Sequence, residues 1–340
     1  MGFKITARQR EYYRYTGVSA ELERLGLGSS RPELAWANRK TQLESNNAGS
    51  GLNDKSASPL EAVATLVEEQ THGQLFDLSY RVDPSETRVS AWLIAPKAPV
   101  ASSYVVFLHG GGQDRNAFIE EAYSFAGHGI ACLLVDLPQA RAFPQFAQPE
   151  EDLSTFHRTV VSVRHGVDFL VDHSEVDGYR GTIIGFSFGA WIGSIVAAAD
   201  HRLRAAVLTA VIPRMSEFWR ASSHPDVARI RAGLAPETLA RFATVTRPMD
   251  TLEHLRHRTD VRLLLQFGLG DEFVTEDEVR EFLPYSAGNN LLRVYESGSH
   301  FQMFLDPVLA AIVWHGCSTS LAVETQCEVM TPGQRAQRDL

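Results

Sequence analysis

Gly181-Thr182-Ile183-Ile184-Gly185-Phe186-Ser187-Phe188-Gly189-Ala190-Trp191-Ile192-Gly193-Ser194-Ile195-Val196 is the stretch on which the reading of the chain turns. Its first residues are β-branched, aromatic or glycine, as in a buried strand, and the residues from Phe188 onward fit an apolar helix. Between them lies Gly-x-Ser-x-Gly, a pattern that carries meaning in a strand, turn, helix context. Small residues at 185 and 189 suit a serine on a cramped turn, where a Cβ on either flank presses on a neighbouring strand or helix. The turn lifts the Ser187 hydroxyl off the strand end, and the first amides of the next helix face any negative charge that develops there. Ser187 is therefore a candidate nucleophile and the Phe188 N–H a candidate anion donor. A serine alcohol is a weak nucleophile alone, so the reading requires a base.

Upstream, Tyr104-Val105-Val106-Phe107-Leu108 runs into His109-Gly110-Gly111-Gly112-Gln113. A strand that ends in consecutive glycines lets backbone amides approach a ligand, so Gly110 or Gly111 is expected to supply the second donor of an oxyanion hole. The Gly-x-Gly-x-x-Gly order is absent and no Lys-Ser/Thr pair follows, which disfavours a nucleotide reading of this loop. His109 is expected to shape the glycine turn. Downstream, an apolar run from Leu263 ends in Gly268-Leu269-Gly270-Asp271-Glu272, and Gly298-Ser299-His300 follows another strand-like run. Asp271 is the candidate orienting acid, with Glu272 as a competitor expected to face solvent, and His300 is the candidate base. The remaining candidates are less well placed: His157, His165 and His173 fall in an amphipathic segment, His254 and His257 in a polar insertion, and His315 at a helix end.

Working outward, short apolar runs alternate with helix-sized ones, which predicts a mostly parallel eight-stranded sheet covered by helices. The expected strands are 75–82, 89–95, 104–108, 130–135, 181–186, 205–211, 261–267 and 291–295, the first two as a hairpin. Helices are expected at 115–127, 152–173, 188–199, 275–283 and 303–314. The interval 213–260 is too long for a tight crossover and reads as a helical cap over the ligand site. Phe186, Phe218, Trp219, Phe242 and Met249 are candidate substrate-pocket residues. Residues 1–70 read as a helical extension, with helices over Glu11 to Leu25 and Pro59 to Glu69, the first of which suits a homodimer contact. Residues 71–317 form the expected catalytic domain and 318–340 a polar, poorly ordered tail.

Composition narrows the function. With 41 acidic and 32 basic residues, the net charge of -9 is spread without a long run of either sign, which disfavours a nucleic-acid partner. Three cysteines, Cys132, Cys317 and Cys327, make neither a disulfide framework nor a metal pair, and Cys132 reads as a small core residue. No segment has the apolar length of a membrane span or the form of a signal peptide, so a cytoplasmic location is expected.

The ordered signals Gly185-Phe186-Ser187-Phe188-Gly189, His109-Gly110-Gly111-Gly112, Asp271 and His300 together resemble the α/β-hydrolase superfamily over about 75 to 317, particularly its esterase, dipeptidyl-peptidase-like and dienelactone-hydrolase-like branches. The resemblance implies Ser187 as nucleophile, Asp271 as acid, His300 as base, and Phe188 with Gly110 or Gly111 as oxyanion donors. It implies a serine hydrolase acting on a small-molecule carboxylic ester through an acyl-enzyme, with no cofactor and no metal. The same groups serve C–C bond cleavage of a diketone-like substrate, thioester hydrolysis, acyl transfer and peptide cleavage, and a silent scaffold acting as an interaction module is the non-enzymatic alternative. The chain departs from the pattern in its N-terminal extension and in the two bulky aromatics, Phe186 and Phe188, that flank the serine.

Overall fold

Ten strands form one sheet in the order β1-β2-β3-β5-β4-β6-β7-β8-β9-β10. This computed structural model describes residues 61–82, 88–97, 103–142, 144–173, 176, 178–257, 260–288, 290–295, 299–300 and 328–330. The strands are β1 (Val63–Glu69), β2 (Gly73–Tyr80), β3 (Val89–Pro96), β4 (Tyr104–Leu108), β5 (Ala131–Val135), β6 (Gly181–Phe186), β7 (Leu203–Thr209), β8 (Arg262–Gly268), β9 (Leu291–Tyr295) and β10 (Glu328–Met330). β1, β2, β3 and β5 pair antiparallel in succession, and every pairing from β5 through β4 to β10 is parallel. All eight expected strands are present, and the predicted hairpin is the β2/β3 pair.

The helices are α1 (Ile119–Gly127), α2 (Pro149–His173), α3 (Phe188–Ala199), α4 (Met215–Ala221), α5 (Pro225–Ala232), α6 (Pro236–Thr246), α7 (Thr251–Leu255) and α8 (Glu276–Arg280). Pro149 opens α2 with Glu150, Glu151 and Asp152 in its first turn, where the missing N–H costs nothing and acidic groups complement the helix dipole. α8 starts on a capping box between Thr275 and Glu278.

The central strands are buried on both faces, and their alternate side chains separate two cores. Val106, Leu108, Leu133 and Ile183 pack with Val163 and Val167 of α2 and with α3. Val105, Phe107, Leu134 and Ile184 pack with Ala122 and Phe125 of α1 and with Phe118 at its N-cap. Helix α3 is apolar on every side because it lies inside the first core, with Trp191 at 1% exposure. Cys132 is buried in the second core, as expected, and burial pushes its thiol up.

Three expectations change. Val63–Glu69 is a strand rather than the end of a helix, so the sheet begins before residue 71. Glu328–Met330 pairs in parallel with β9 inside a tail expected to be unstructured, which together with β1 makes the sheet ten-stranded rather than eight-stranded. The 275–283 helix is a short α8 followed by a 3-10 turn, Leu283–Tyr285. The helices expected over Glu11 to Leu25 and 303–314, and the homodimer contact proposed for the former, lie outside the described residues. The interval 213–260 does contain helices α4 to α7. Among the described residues no helix is long and apolar enough to cross a membrane.

Candidate active site

Because β4, β6, β8 and β9 are parallel, the segments that follow them meet at one edge of the sheet, the place where ligands bind in this kind of architecture. Ser187 caps α3 with φ 52° and ψ -114°, a region that few non-glycine residues occupy. Such a conformation costs roughly 1–3 kcal/mol and persists when the surroundings over-determine it. Here they do. A Cβ at Gly185 would stand 2.5 Å from the Gly189 carbonyl oxygen, and one at Gly189 would overlap the Leu108 carbonyl. The Ser187 N–H donates to Thr209 O at 2.9 Å, and the Ser187 carbonyl accepts from Trp191 N at 2.9 Å. Trp191 anchors the helix by packing on Phe156 and Phe188 and donating from Nε1 to Met249 O at 2.6 Å.

His300 lies 2.7 Å from the Ser187 hydroxyl through Nε2, and its Nδ1 is 2.9 and 2.8 Å from the two oxygens of Asp271. With Nδ1 against a carboxylate, the neutral ring carries its proton there and leaves Nε2 to accept from the serine. His300 is 3% exposed and Asp271 9%. Asp271 is held in turn by the N–H groups of Phe273 (2.8 Å) and Val274 (3.0 Å), which donate to Oδ1. The imidazole sits between the rings of Phe186 (5.0 Å) and Phe273 (4.7 Å). Glu272 is exposed as expected, yet its Oε2 accepts from the His300 backbone N–H at 3.0 Å.

On the glycine side the structure separates candidates that were equivalent in sequence. The Gly110 N–H donates to Gln113 Oε1 at 2.8 Å, and the Gly112 N–H donates to Ala140 O at 2.9 Å. Among the described residues nothing accepts from the Gly111 N–H, which leaves it as the free glycine amide of this turn. A Cβ at Gly110 would lie 2.6 Å from the Phe186 ring, and Gly112 has φ 73°, so glycine is needed at both. His109 shapes this turn: Nδ1 donates to Gly110 O at 3.0 Å and Nε2 accepts from Leu137 N at 2.8 Å. Asp136 lies 3.4 Å from that nitrogen, but its partner is Arg141, which grips it at 2.7 and 2.8 Å and also donates to Gln113 O. Burial alone would raise the Asp136 carboxyl; the Arg141 fork holds it well below the usual carboxylate range.

The aromatic candidates divide. Phe186 is buried as a floor between Gly110 and His300. Phe218 stacks 6.4 Å from Phe273, while Trp219 and Phe242 pack on Phe146. Met249 is buried where the insertion meets α3. Among the described residues Phe218 reaches Phe273 beside His300, and Phe242 and Met249 join the insertion to the core. Three contributors carried no readable signal: Gln113, Phe273, and His224, whose ring stacks on Phe273 at 3.8 Å. His254 is half-buried with Nε2 bonded to Pro248 O, and burial lowers its pKa.

The model of a family described as the alpha/beta hydrolase family matches residues 105–318. Quorum-quenching protein AidA of Acinetobacter baumannii is 28% identical over 131 residues, which are 38% of this chain and 42% of that protein, so the match spans less than half of that relative's length. Among solved structures, acetyl xylan esterase 1 from Thermoanaerobacterium sp. superposes with a TM-score of 0.59 at 15% identity, covering 74% of this chain and 89% of that one. An acetyl xylan esterase from Paenibacillus sp. R4 gives 0.58 at 20% identity, covering 82% and 94%. A 2,6-dihydroxy-pseudo-oxynicotine hydrolase gives 0.55 at 17%, covering 79% and 71%. At these identities the structural likeness speaks to the fold.

Proposed function

This chain belongs to the α/β hydrolase family, and from that premise we propose that it is a serine hydrolase cleaving a small-molecule carboxylic ester through an acyl-enzyme intermediate. The observation that carries the reading is the unbroken line from Asp271 through His300 to Ser187, with bonds of 2.8 and 2.7 Å, ending on a serine held at positive φ. The esterase names of the Thermoanaerobacterium and Paenibacillus structures agree with it without choosing a substrate.

In this mechanism His300 Nε2 takes the Ser187 proton as Oγ forms its bond to the ester carbonyl carbon. Asp271 keeps the ring in the competent tautomer and stabilises the imidazolium. The Phe188 and Gly111 amides receive the oxyanion, each donor of this kind being worth about 10²–10³ in turnover. The ester C–O bond breaks as His300 returns the proton to the departing alkoxide. Water, deprotonated by the same nitrogen, then releases the acid from Ser187. The insertion 213–260 acts as a cap: Phe218 and His224 reach Phe273 beside the base, which favours a small substrate that fits beneath it.

A fluorophosphonate probe tests nucleophile activation without a substrate guess. Wild-type protein should label and Ser187→Ala should not, and p-nitrophenyl acetate should be turned over with a burst. Well-folded wild-type protein that neither labels nor turns over would reject the reading.

A further inference from the structure

Two consecutive carboxylates close the β8 end of the site, and both reach the same residue. Asp271 binds the His300 ring at Nδ1, and Glu272 binds the His300 backbone, its Oε2 accepting the amide proton at 3.0 Å. The next residue, Phe273, lays its ring 4.7 Å from the imidazole. We propose that Glu272 is a positioning residue for the base, fixing the main chain of His300 so that Asp271 has a ring to orient. This inference rests on the serine hydrolase reading above.

A ring hydrogen bond by itself leaves a histidine on a loop free to move as a body with its partner. Holding the backbone amide as well as Nδ1 ties down both ends of the side chain, which is what sub-ångström placement of a catalytic group requires. Glu272 is otherwise an exposed residue. An exposed glutamate ordered against a specific amide gives up rotamer freedom, and the hydrogen bond to that amide is the compensating gain. The contact uses an acceptor oxygen, so position and charge can be separated by substitution. Glu272→Gln keeps an acceptor at the same reach and removes the charge. Glu272→Asp keeps the charge and draws the acceptor back by one methylene. Glu272→Ala removes both.

The experiment measures three quantities on the full chain: the second-order rate of fluorophosphonate labelling, kcat and KM for p-nitrophenyl acetate, and hydrogen exchange at the His300 amide. Positioning predicts that Glu272→Ala and Glu272→Asp lose about tenfold in labelling rate and in kcat, with KM little changed. It predicts that Glu272→Gln recovers most of that loss, and that the His300 amide exchanges fast in the Ala and Asp variants but is protected in wild type and Gln. An Ala variant equal to wild type in labelling and in exchange would overturn the proposal. So would a Gln variant as impaired as Ala beside an active Asp variant, because the charge would then be what matters. If wild type fails to label, the hydrolase reading falls on its own, and the exchange comparison still decides whether Glu272 holds His300. Because Glu272 is exposed, all three variants are expected to fold.

Discussion

Ser187 and His300 meet at 2.7 Å, yet they are held by different means. The serine is placed by its own neighbours in the chain: Gly185 and Gly189 leave no space for a side chain, and α3 follows at once. The histidine is placed by borrowed contacts from residues 28 and 29 positions earlier, Glu272 and Asp271, and by the Phe186 and Phe273 rings. The first arrangement is steric and inseparable from the packing of the sheet. The second is polar and lies at the sheet edge, where little of the core depends on it. Damage on the serine side should therefore cost the fold, and damage on the histidine side should cost activity alone.

Gly189→Ala is the most severe way to test that division. The added methyl would overlap the Leu108 carbonyl and press on that of His109, backbone atoms that cannot rotate away. A loss of about 3 kcal/mol or more is expected, at the upper end of overpacking costs, with loss of soluble protein and of activity together. Denaturant titration and soluble yield measure it, and a wild-type midpoint would remove the steric account of the elbow. His300→Ala should do the opposite: a thermal midpoint near wild type, with turnover down about 10⁴–10⁶-fold. Because members of such a group act as a unit, Ser187→Ala/His300→Ala should be little worse than either single change. Additive losses would mean that the two residues act independently.

Asp271→Asn sharpens the histidine side. The Phe273 and Val274 amides both donate to Oδ1, so the oxygen of an asparagine stays there, 2.9 Å from Nδ1 of His300, while the new NH₂ takes the nearer Oδ2 place at 2.8 Å and the ring loses its anionic partner. An N–H against Nδ1 favours the tautomer with the proton on Nε2, which cannot accept from Ser187. The same change in a well-studied protease costs about 10⁴ in kcat, and a loss of that order is expected with the fold intact. A variant within a few-fold of wild type would dismiss Asp271 as the orienting acid.

The same division decides what was legible in the sequence. The serine's turn is local, so Gly181 to Val196 displays strand, turn and helix in one reading, and Asp271 and His300 stand out because each follows a strand and a glycine. Glu272, Phe273 and His224 act across the fold, where neighbouring letters say nothing, and the choice of Gly111 over Gly110 depends on the Gln113 side chain. β1 reads as a helix in the sequence for a different reason. Leu60, Val63, Leu66 and Val67 recur at helical spacing, while the strand that holds the last three is an edge with all three exposed and its register shifted between Leu66 and Glu68. With no face buried and the pairing interrupted, the alternation that marks a strand has no reason to appear. In β10, three residues are too few to show any period.

The smallest expected effect concerns the insertion, whose attachment is also borrowed rather than local. Asp250, 3% exposed, accepts from the Ser216 amide at 2.9 Å and from the Ser216 hydroxyl at 2.8 Å, clasping the two ends of the insertion across 34 residues. Burial raises its carboxyl pKa above the ordinary 3.8, with Glu217 adding to the rise and the Ser216 bonds and Arg214 opposing it. A carboxyl that binds its proton more tightly folded than unfolded contributes stability that is fully present below the unfolded value and is lost as pH climbs through the folded one. Asp250→Asn removes that titration but keeps one acceptor for the Ser216 amide, and the Ser216 hydroxyl can turn to accept from the new NH₂. The thermal midpoint of wild type relative to Asp250→Asn should therefore be highest near pH 3, fall as pH rises above 3.8, and level off once the folded carboxyl has ionised. Comparing the two proteins at each pH cancels the other titrating groups. A constant difference would mean that burial does not perturb Asp250, and a difference that grows with pH would mean that Arg214 holds it as a carboxylate, making the clasp an ion pair rather than a buried polar contact.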